Sequence, residues 1–144
     1  MNPEKGKIMP RIKHIALTTQ DPAKTAAFYK EAFGMHEIRR DPSCQVFLTD
    51  GYINLAILNF KTEKDADVGA HGANFSGIHH FGFEVEDLDA AAARLEQANA
   101  KELTAKDNLD MAMAAGSHRN FEMKWQGPDG VVIDISHTGW DTGP

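Results

Sequence analysis

The sequence predicts an α+β fold built from two tandem β-α-β-β-β modules. The first observation is an internal repeat, in which His14-Ile15-Ala16-Leu17 and His80-Phe81-Gly82-Phe83 each belong to an apolar, strand-like run. In both copies an Asp follows the His after seven positions, and the offset between the copies is 80 − 14 = 66 residues. A repeat at a little under half of the chain length indicates two similar structural units. The second observation is that a helix start and further strand-like runs follow each copy.

The first module is predicted to occupy about residues 11–60. Alternating and β-branched residues predict a strand over Ile12–Thr18. Asp21-Pro22 is typical of a helix start, because an acidic cap precedes a proline at the first helical position. The helix is expected to end at about Phe33, since Gly34 suits a C-terminal cap. Three more strands are predicted over Met35–Arg40, Gln45–Leu48 and Tyr52–Asn59.

The second module is predicted to occupy about residues 77–137. A linker loop at residues 61–76 precedes it, because this segment is charged, contains glycine and lacks periodicity. The helix of this module is predicted to begin at Asp87 and to contain an alanine-rich run. Its strands are predicted over Ile78–Glu84, Glu102–Ala105, Phe121–Trp125 and Val131–Ser136. Residues 1–144 are therefore interpreted as a single domain, with a loose tail at 139–144.

The composition excludes several classes of partner. The chain has 144 residues, a formal net charge of −6 and no basic run longer than Arg39-Arg40, which argues against a nucleic-acid-binding surface. No apolar run approaches the length of a membrane span, and the N-terminal residues do not resemble a signal peptide. The one cysteine, Cys44, cannot form an internal disulfide and is interpreted as a packed thiol rather than a nucleophile. These features predict a cytoplasmic protein.

Three polar residues interrupt predicted apolar strands, namely His14, His80 and Asp134. An unpaired carboxylate in the middle of a β-branched run is costly to bury, so Asp134 needs a compensating partner. Two His and one carboxylate on three strands of one sheet are sufficient to bind a divalent metal and to leave positions for water or substrate. A solvated sheet face and a buried His–Asp hydrogen bond are the open alternatives.

The same motifs carry a family resemblance that spans about Arg11 to Ser136. It rests on the helical segment Phe28-Tyr29-Lys30-Glu31-Ala32-Phe33-Gly34-Met35, on the two His-containing strands and on the segment Gly127-Pro128-Asp129-Gly130-Val131-Val132-Ile133-Asp134. The chain resembles the vicinal oxygen chelate superfamily, which includes glyoxalase I, bleomycin-resistance proteins and extradiol dioxygenases. The resemblance implies a curved mixed sheet that forms a U-shaped cleft with a metal ion at its floor.

The resemblance also implies which residues bind the metal. His14 matches the first ligand position of the family, His80 the third, and Asp134 the fourth, where Glu is more usual. The second position falls on Ala56, which cannot bind a metal. Alternation along this strand is expected to turn Leu55 and Ile57 toward the helices and Asn54 and Ala56 toward the cleft, where Asn54 offers a weak oxygen ligand. A set of two His and one carboxylate resembles the facial triad of extradiol dioxygenases. Such a triad favours Fe(II) or Mn(II), with Ni(II) and Zn(II) as alternatives.

The resemblance implies a metal-dependent enzyme that binds a small oxygen-bearing organic substrate by bidentate chelation. Dioxygenase-like chemistry is favoured over glyoxalase-like lyase or isomerase chemistry, because Ala56 replaces a ligand. The alternative is a metal-free protein of the bleomycin-resistance type, which sequesters a drug, and the net charge of −6 is compatible with a cationic drug. A homodimer is expected by resemblance to other two-module relatives.

Three further residues are candidates for acid–base catalysis, each with a simpler alternative. His71 lies in the predicted linker loop and is otherwise interpreted as a solvated loop residue, which is the simpler interpretation. His118 lies in a predicted turn region and is otherwise an exposed residue. Glu122 either faces the site or lies on the surface of an edge strand. His79 adjoins His80 in one strand, so it is predicted to face the opposite side, in the helix layer or on the surface.

Overall fold

A computed structural model describes residues 9–42, 45–59, 74–104 and 122–143. The described elements follow the order β-α-β-β-β twice, which confirms the predicted α+β fold. In the first repeat these are β1 (Arg11–Thr18), α1 (Pro22–Phe33), β2 (His36–Arg40), β3 (Val46–Thr49) and β4 (Asn54–Leu58). In the second they are β5 (Gly77–Glu84), α2 (Leu88–Gln97), β6 (Lys101–Glu102), β7 (Met123–Gln126) and β8 (Val132–Ser136).

The eight strands belong to one mixed sheet with the order β2-β3-β4-β1-β5-β8-β7-β6. The order is the same within each repeat. The first strand lies beside the fourth, the fourth beside the third, and the third beside the second. Two compact units make up the chain. The first unit comprises His14–His80 and Asp141–Pro144, and the second comprises Met1–Lys13 and Phe81–Trp140.

The first unit separates its apolar residues onto two faces of its strands. Strand β4 is parallel to β1 and antiparallel to β3, and His14 lies opposite Asn54 in the first of these pairs. One face packs with Ala26 of α1, and its buried strand residues are Val46, Leu48, Leu55 and Ile57. The other face has a smaller cluster of Ala16, Ala56 and Leu58. The predicted assignment of alternate β4 residues to the helix side and to the opposite side is confirmed.

Helix α1 begins and ends as its sequence predicts. The Asp21 carboxylate accepts a hydrogen bond from the backbone N–H of Lys24 at 3.1 Å, and Pro22 is the first helical residue. At the other end Gly34 has φ of 66° and its N–H donates to the Lys30 carbonyl at 2.9 Å. Glycine adopts this left-handed conformation without a side-chain penalty, so it terminates the helix.

The second unit has its own core between α2 and the strands β7 and β8. Val85, Trp125 and Ile135 are buried there, and Leu88 and Leu95 of α2 pack against them. Strand β7 is antiparallel to both β6 and β8. Helix α2 begins after Asp87, whose carboxylate accepts from the N–H of Ala90 at 3.0 Å. In the described part of the chain, no helix is long and apolar enough to cross a membrane.

The residues after β8 differ from the loose tail that the sequence predicts. The Asp141 carbonyl accepts a hydrogen bond from Asn54 Nδ2 at 2.8 Å, and the Thr142 carbonyl accepts from Thr49 Oγ1 at 2.9 Å. Asn54 and Thr49 are both buried, so these carbonyls satisfy donors that would otherwise be costly to bury. Asp141 and Thr142 are therefore part of the first unit. Cys44 lies outside the described residues.

Candidate functional site

Two histidines of the first unit meet through their Nε2 atoms. His14 is in the middle of β1 and His80 in the middle of β5, and both side chains are almost fully buried. Their Nε2 atoms lie 3.4 Å apart, and their ring centroids are 5.4 Å apart. This separation exceeds the usual N–H···O range of about 2.7–3.2 Å. The two imidazoles thus converge without a short hydrogen bond between their Nε2 atoms.

Asn54 determines which nitrogen of His14 carries the proton. Its Nδ2 donates to the Asp141 carbonyl, which can only accept, so the amide oxygen must be the atom that faces His14. That oxygen lies 2.9 Å from His14 Nδ1. Nδ1 is therefore the protonated nitrogen, and in the neutral ring Nε2 bears a lone pair directed toward His80. Orientation by a carbonyl behind the ring is the usual arrangement for metal-binding histidines.

His79 is not exposed, which excludes the surface position, one of its two predicted alternatives. It is buried, and its Nδ1 lies 2.8 Å from Nδ1 of His80. The two rings are nearly perpendicular, with an interplanar angle of 85°. One of the two Nδ1 atoms must donate to the other. If His80 donates, its Nε2 bears a lone pair in the same way as that of His14.

Asp134 lies in the middle of β8 in the second unit and its side chain has no exposed surface. The residue directly opposite on β7 is Lys124. Lys124 Nζ donates to both carboxylate oxygens, at 2.9 and 3.0 Å. The compensating partner that the sequence analysis required for Asp134 is thus, within this unit, a lysine. Lys124 was not among the predicted site residues.

Glu122 lies immediately before β7 and is not an exposed edge residue. Its Oε1 accepts a hydrogen bond from Trp140 Nε1 at 2.6 Å. Burial and, to a smaller extent, the nearby negative charge of Asp134 together raise the pKa of Glu122 to about 7, while Lys124 opposes the shift. This environment favours a carboxyl that exchanges its proton near neutral pH. Of the other predicted acid–base candidates, His71 and His118 lie outside the described residues.

The two units offer different donor atoms. The first has two imidazole nitrogens that converge, and the second has a buried carboxylate with a lysine and a second carboxyl beside it. Lys124 was detectable from the sequence, because Lys124 and Asp134 are each five residues from Asp129 in the predicted Pro-Asp-Gly turn. In an antiparallel hairpin such residues face each other. Asn54 was considered only as a weak metal ligand, whereas its oxygen faces His14.

Comparison with known proteins places these features in a family. The model of the Glyoxalase/Bleomycin resistance protein/Dioxygenase superfamily matches residues 11–135, which is most of the chain. No match was found among curated proteins. The described helices and strands lie almost entirely within the matched range, and so do His14, His80 and Asp134.

Solved structures with the same fold include epimerases and a dioxygenase. A methylmalonyl-CoA epimerase in complex with methylmalonyl-CoA and NH4+ is 20% identical, with a TM-score of 0.61 over 89% of this chain and 94% of that one. A Streptomyces coelicolor methylmalonyl-CoA epimerase variant is 21% identical, with a TM-score of 0.62 over 89% and 96%. The 2,3-dioxygenase LapB from Pseudomonas sp. KL28 is 20% identical, with a TM-score of 0.62 over 92% of this chain and 42% of that one. At these identities the likeness shows the fold, and the match of the family model shows that the chain belongs to the Glyoxalase/Bleomycin resistance protein/Dioxygenase superfamily.

Proposed function

We propose that this chain is a metal-dependent enzyme that binds a small oxygen-bearing organic molecule by chelation. His14, His80 and Asp134 would hold the metal ion, since each is a buried residue of a type that binds divalent ions. The family includes enzymes, and the solved epimerase and dioxygenase structures share its fold. The observation that carries the proposal is the convergence of the two buried Nε2 atoms at 3.4 Å.

The distance between the two nitrogens fits a shared metal ion. Two nitrogen ligands held about 2.0–2.1 Å from one ion lie roughly 2.9–3.4 Å apart for angles of about 90–109° at the ion. A metal-binding His usually donates its other ring N–H to an oxygen atom. In His14 this nitrogen is Nδ1, and its partner is the side-chain oxygen of Asn54. A buried carboxylate such as Asp134 completes a set of three ligands. Such a set leaves positions for two neighbouring oxygens of a substrate.

The ligand types favour Fe(II) or Mn(II), with Ni(II) or Zn(II) as alternatives. When bound, such an ion supplies Lewis-acid catalysis or a place where a catechol-like substrate and O2 meet. Glu122 is the proposed acid–base residue, since a pKa of about 7 allows it to hold and release a proton near neutral pH. His71 and His118 stay as proposed candidates for the same role. Dioxygenase-like chemistry is favoured over lyase or isomerase chemistry because Ala56, which cannot bind a metal, stands at the second ligand position of the family.

The ion pair between Lys124 and Asp134 favours a second candidate function. Because Lys124 neutralises the Asp134 carboxylate, this carboxylate can be buried without a metal ion. The second candidate is therefore a metal-free protein that sequesters a small molecule, as bleomycin-resistance proteins do. The two functions differ in one measurable respect, because only the enzyme loses its ligand affinity and activity when the metal is removed. A homodimer in the cytoplasm is proposed for either function, and sedimentation equilibrium tests the dimer.

The experiment is the metal content of the protein purified without a histidine tag. Wild type is compared with His14→Ala, His80→Ala and Asp134→Ala, and with His36→Ala and His137→Ala as controls, because His36 and His137 are exposed. We expect close to one iron, manganese, nickel or zinc ion per chain in wild type and in both controls. The three ligand variants should retain less than about a tenth of it.

The absence of bound metal in wild type after anaerobic reconstitution with each of the four ions would overturn the proposal. Screening of cationic drugs for binding would then test the sequestering function. If metal binds, its identity selects the assay. Iron or manganese calls for catechol-type substrates and oxygen uptake, whereas nickel or zinc calls for thiol adducts and epimerisable acids.

A further inference from the structure

The Asp134 carboxylate already has a cationic partner within its own unit, and the pair is built into the strands. Lys124 and Asp134 face each other across the β7–β8 pair, and Lys124 Nζ donates to both carboxylate oxygens at 2.9 and 3.0 Å. We propose that Lys124 is an affinity-determining residue: its ammonium holds Asp134 until a metal ion displaces it, so that it weakens metal binding. This inference rests on the proposed function, because it requires Asp134 to be a metal ligand.

The backbone of Lys124 is held on the side away from Asp134. Its N–H donates to Thr104 Oγ1 at 2.8 Å, and its carbonyl accepts from the N–H of Leu103 at 2.7 Å. The Lys124 side chain is only 17% exposed and that of Asp134 is not exposed at all. A surface ion pair contributes little and exchanges freely. A pair that is this buried is costly to separate unless another cation takes the place of the ammonium.

The ammonium and a metal ion compete for the same lone pairs. Asp134 offers two oxygens, and Lys124 contacts both of them. A divalent ion on the same carboxylate would lie within a few ångströms of the ammonium and repel it, because water does not screen charges at a buried site. The ammonium must therefore move when a metal binds.

Glu122 provides an acceptor for the displaced ammonium. It precedes Lys124 by two residues, and it lies close enough to Asp134 for the negative charge of Asp134 to act on it. Binding of a metal to Asp134 is thus coupled to the transfer of Lys124 from one carboxylate toward another. The cost of this exchange lowers the metal affinity of the wild-type site.

The test compares the affinity of wild type and Lys124→Met for Zn2+ and for Mn2+, by competition with a chromophoric chelator. Met retains most of the side-chain volume and removes the charge. We expect Lys124→Met to bind each ion at least tenfold more tightly than wild type, whereas Lys124→Arg, which keeps a cation on Asp134, should not bind more tightly. Lys24→Met is the matched surface control, because Lys24 is exposed. Equal affinity of Lys124→Met and wild type would overturn the inference and leave the proposed function intact.

A second measurement uses only the wild-type chain and does not depend on the folding of a variant. An amine-acylating reagent followed by mass spectrometry gives the labelling rate of each lysine with and without Zn2+. Labelling of Lys124 should rise at least threefold on loading, while that of Lys24 stays constant. A Lys124 that is equally protected in the loaded protein would overturn the inference. Failure of both wild type and Lys124→Met to bind either ion would overturn the inference, and it would overturn the proposed function as well once iron and nickel also failed to bind.

Discussion

The Asn54 side chain joins His14 to the end of the chain: its Oδ1 lies 2.9 Å from His14 Nδ1, and its Nδ2 donates to the Asp141 carbonyl at 2.8 Å. The amide oxygen faces a hydrogen-bond donor and the amide nitrogen faces an acceptor, so the side chain has a single orientation. The ring of His14 is thereby fixed in the tautomer that leaves a lone pair on Nε2. The residue at position 54 thus acts on a proposed metal ligand without binding the metal itself.

Replacement of Asn54 by Ala should weaken metal binding about 10- to 100-fold, which is the usual effect of losing a partner behind a metal-binding His. Asn54→Asp keeps an oxygen for His14 Nδ1 and should retain more of the affinity than Asn54→Ala. Titration with Zn2+ against a competing chelator measures both. Thermal unfolding of the metal-free variants controls for loss of fold. Wild-type affinity in a folded Asn54→Ala protein would contradict this account of His14.

The tail gives a prediction about stability. The carbonyls of Asp141 and Thr142 are the acceptors for Asn54 Nδ2 and Thr49 Oγ1, and both donor residues are buried. A chain that ends at Trp140 should lose about 1–3 kcal/mol of unfolding free energy, the usual cost of leaving buried polar groups unsatisfied. A chain that ends at Gly143 retains both peptide carbonyls and is the matched control. Urea denaturation measures the difference, and equal stability of the two truncated chains would rule out this role of the carbonyls.

Local sequence rules were sufficient for the helices and strands, because these depend on neighbours in the chain. Asp21 and Asp87 were predicted as helix caps and both accept the expected backbone hydrogen bond. The alternation of β4 correctly assigned Leu55 and Ile57 to the helix side. The repeat that relates His14 to His80 corresponds to the same position in the first strand of each module, β1 and β5.

The same rules failed where contacts depend on ring orientation or on partners distant in the chain. Alternation placed His79 away from His80, yet the Nδ1 atoms of these adjacent residues are 2.8 Å apart. The tail was predicted to be loose because nothing in its sequence indicates that its carbonyls satisfy Asn54 and Thr49. The Lys124–Asp134 pair was missed because the strands were considered singly, whereas the register of the hairpin brings these residues together.

The cap of α2 gives a prediction with a matched control on the same helix. Asp87→Ala removes the acceptor for the Ala90 N–H and should lower the unfolding free energy by about 1 kcal/mol, within the range of 0.5–2 for such caps. Asp89→Ala removes an acidic residue from the first turn and leaves the cap intact. It loses only a favourable interaction with the helix dipole, about 0.3–1 kcal/mol. Urea denaturation of both variants tests whether Asp87→Ala is the more damaging.

The environment of Glu122 predicts how stability changes with pH in the chelator-treated protein. Its pKa rises from an ordinary value of 4.5 to about 7 in the folded chain, because the carboxyl is buried beside the negative charge of Asp134. Between these two values the folded state binds the Glu122 proton more tightly than the unfolded state does. The unfolding free energy should therefore fall as the pH rises from about 4.5 to 7. The contribution of Glu122 to this fall is at most about 3 kcal/mol.

Glu122→Gln isolates this contribution, because Gln cannot titrate and still offers an oxygen to Trp140 Nε1, which donates to Glu122 at 2.6 Å in the wild type. Its amide group can donate a hydrogen bond to a nearby carboxylate, as a protonated carboxyl can. The unfolding free energy of Glu122→Gln should exceed that of wild type at pH 8, and the two should converge toward pH 4.5. Urea denaturation at intervals across this range measures the difference. A constant difference between the two proteins would mean that Glu122 has the same pKa in the folded and unfolded chain, and it would then be unsuited to proton exchange near neutral pH.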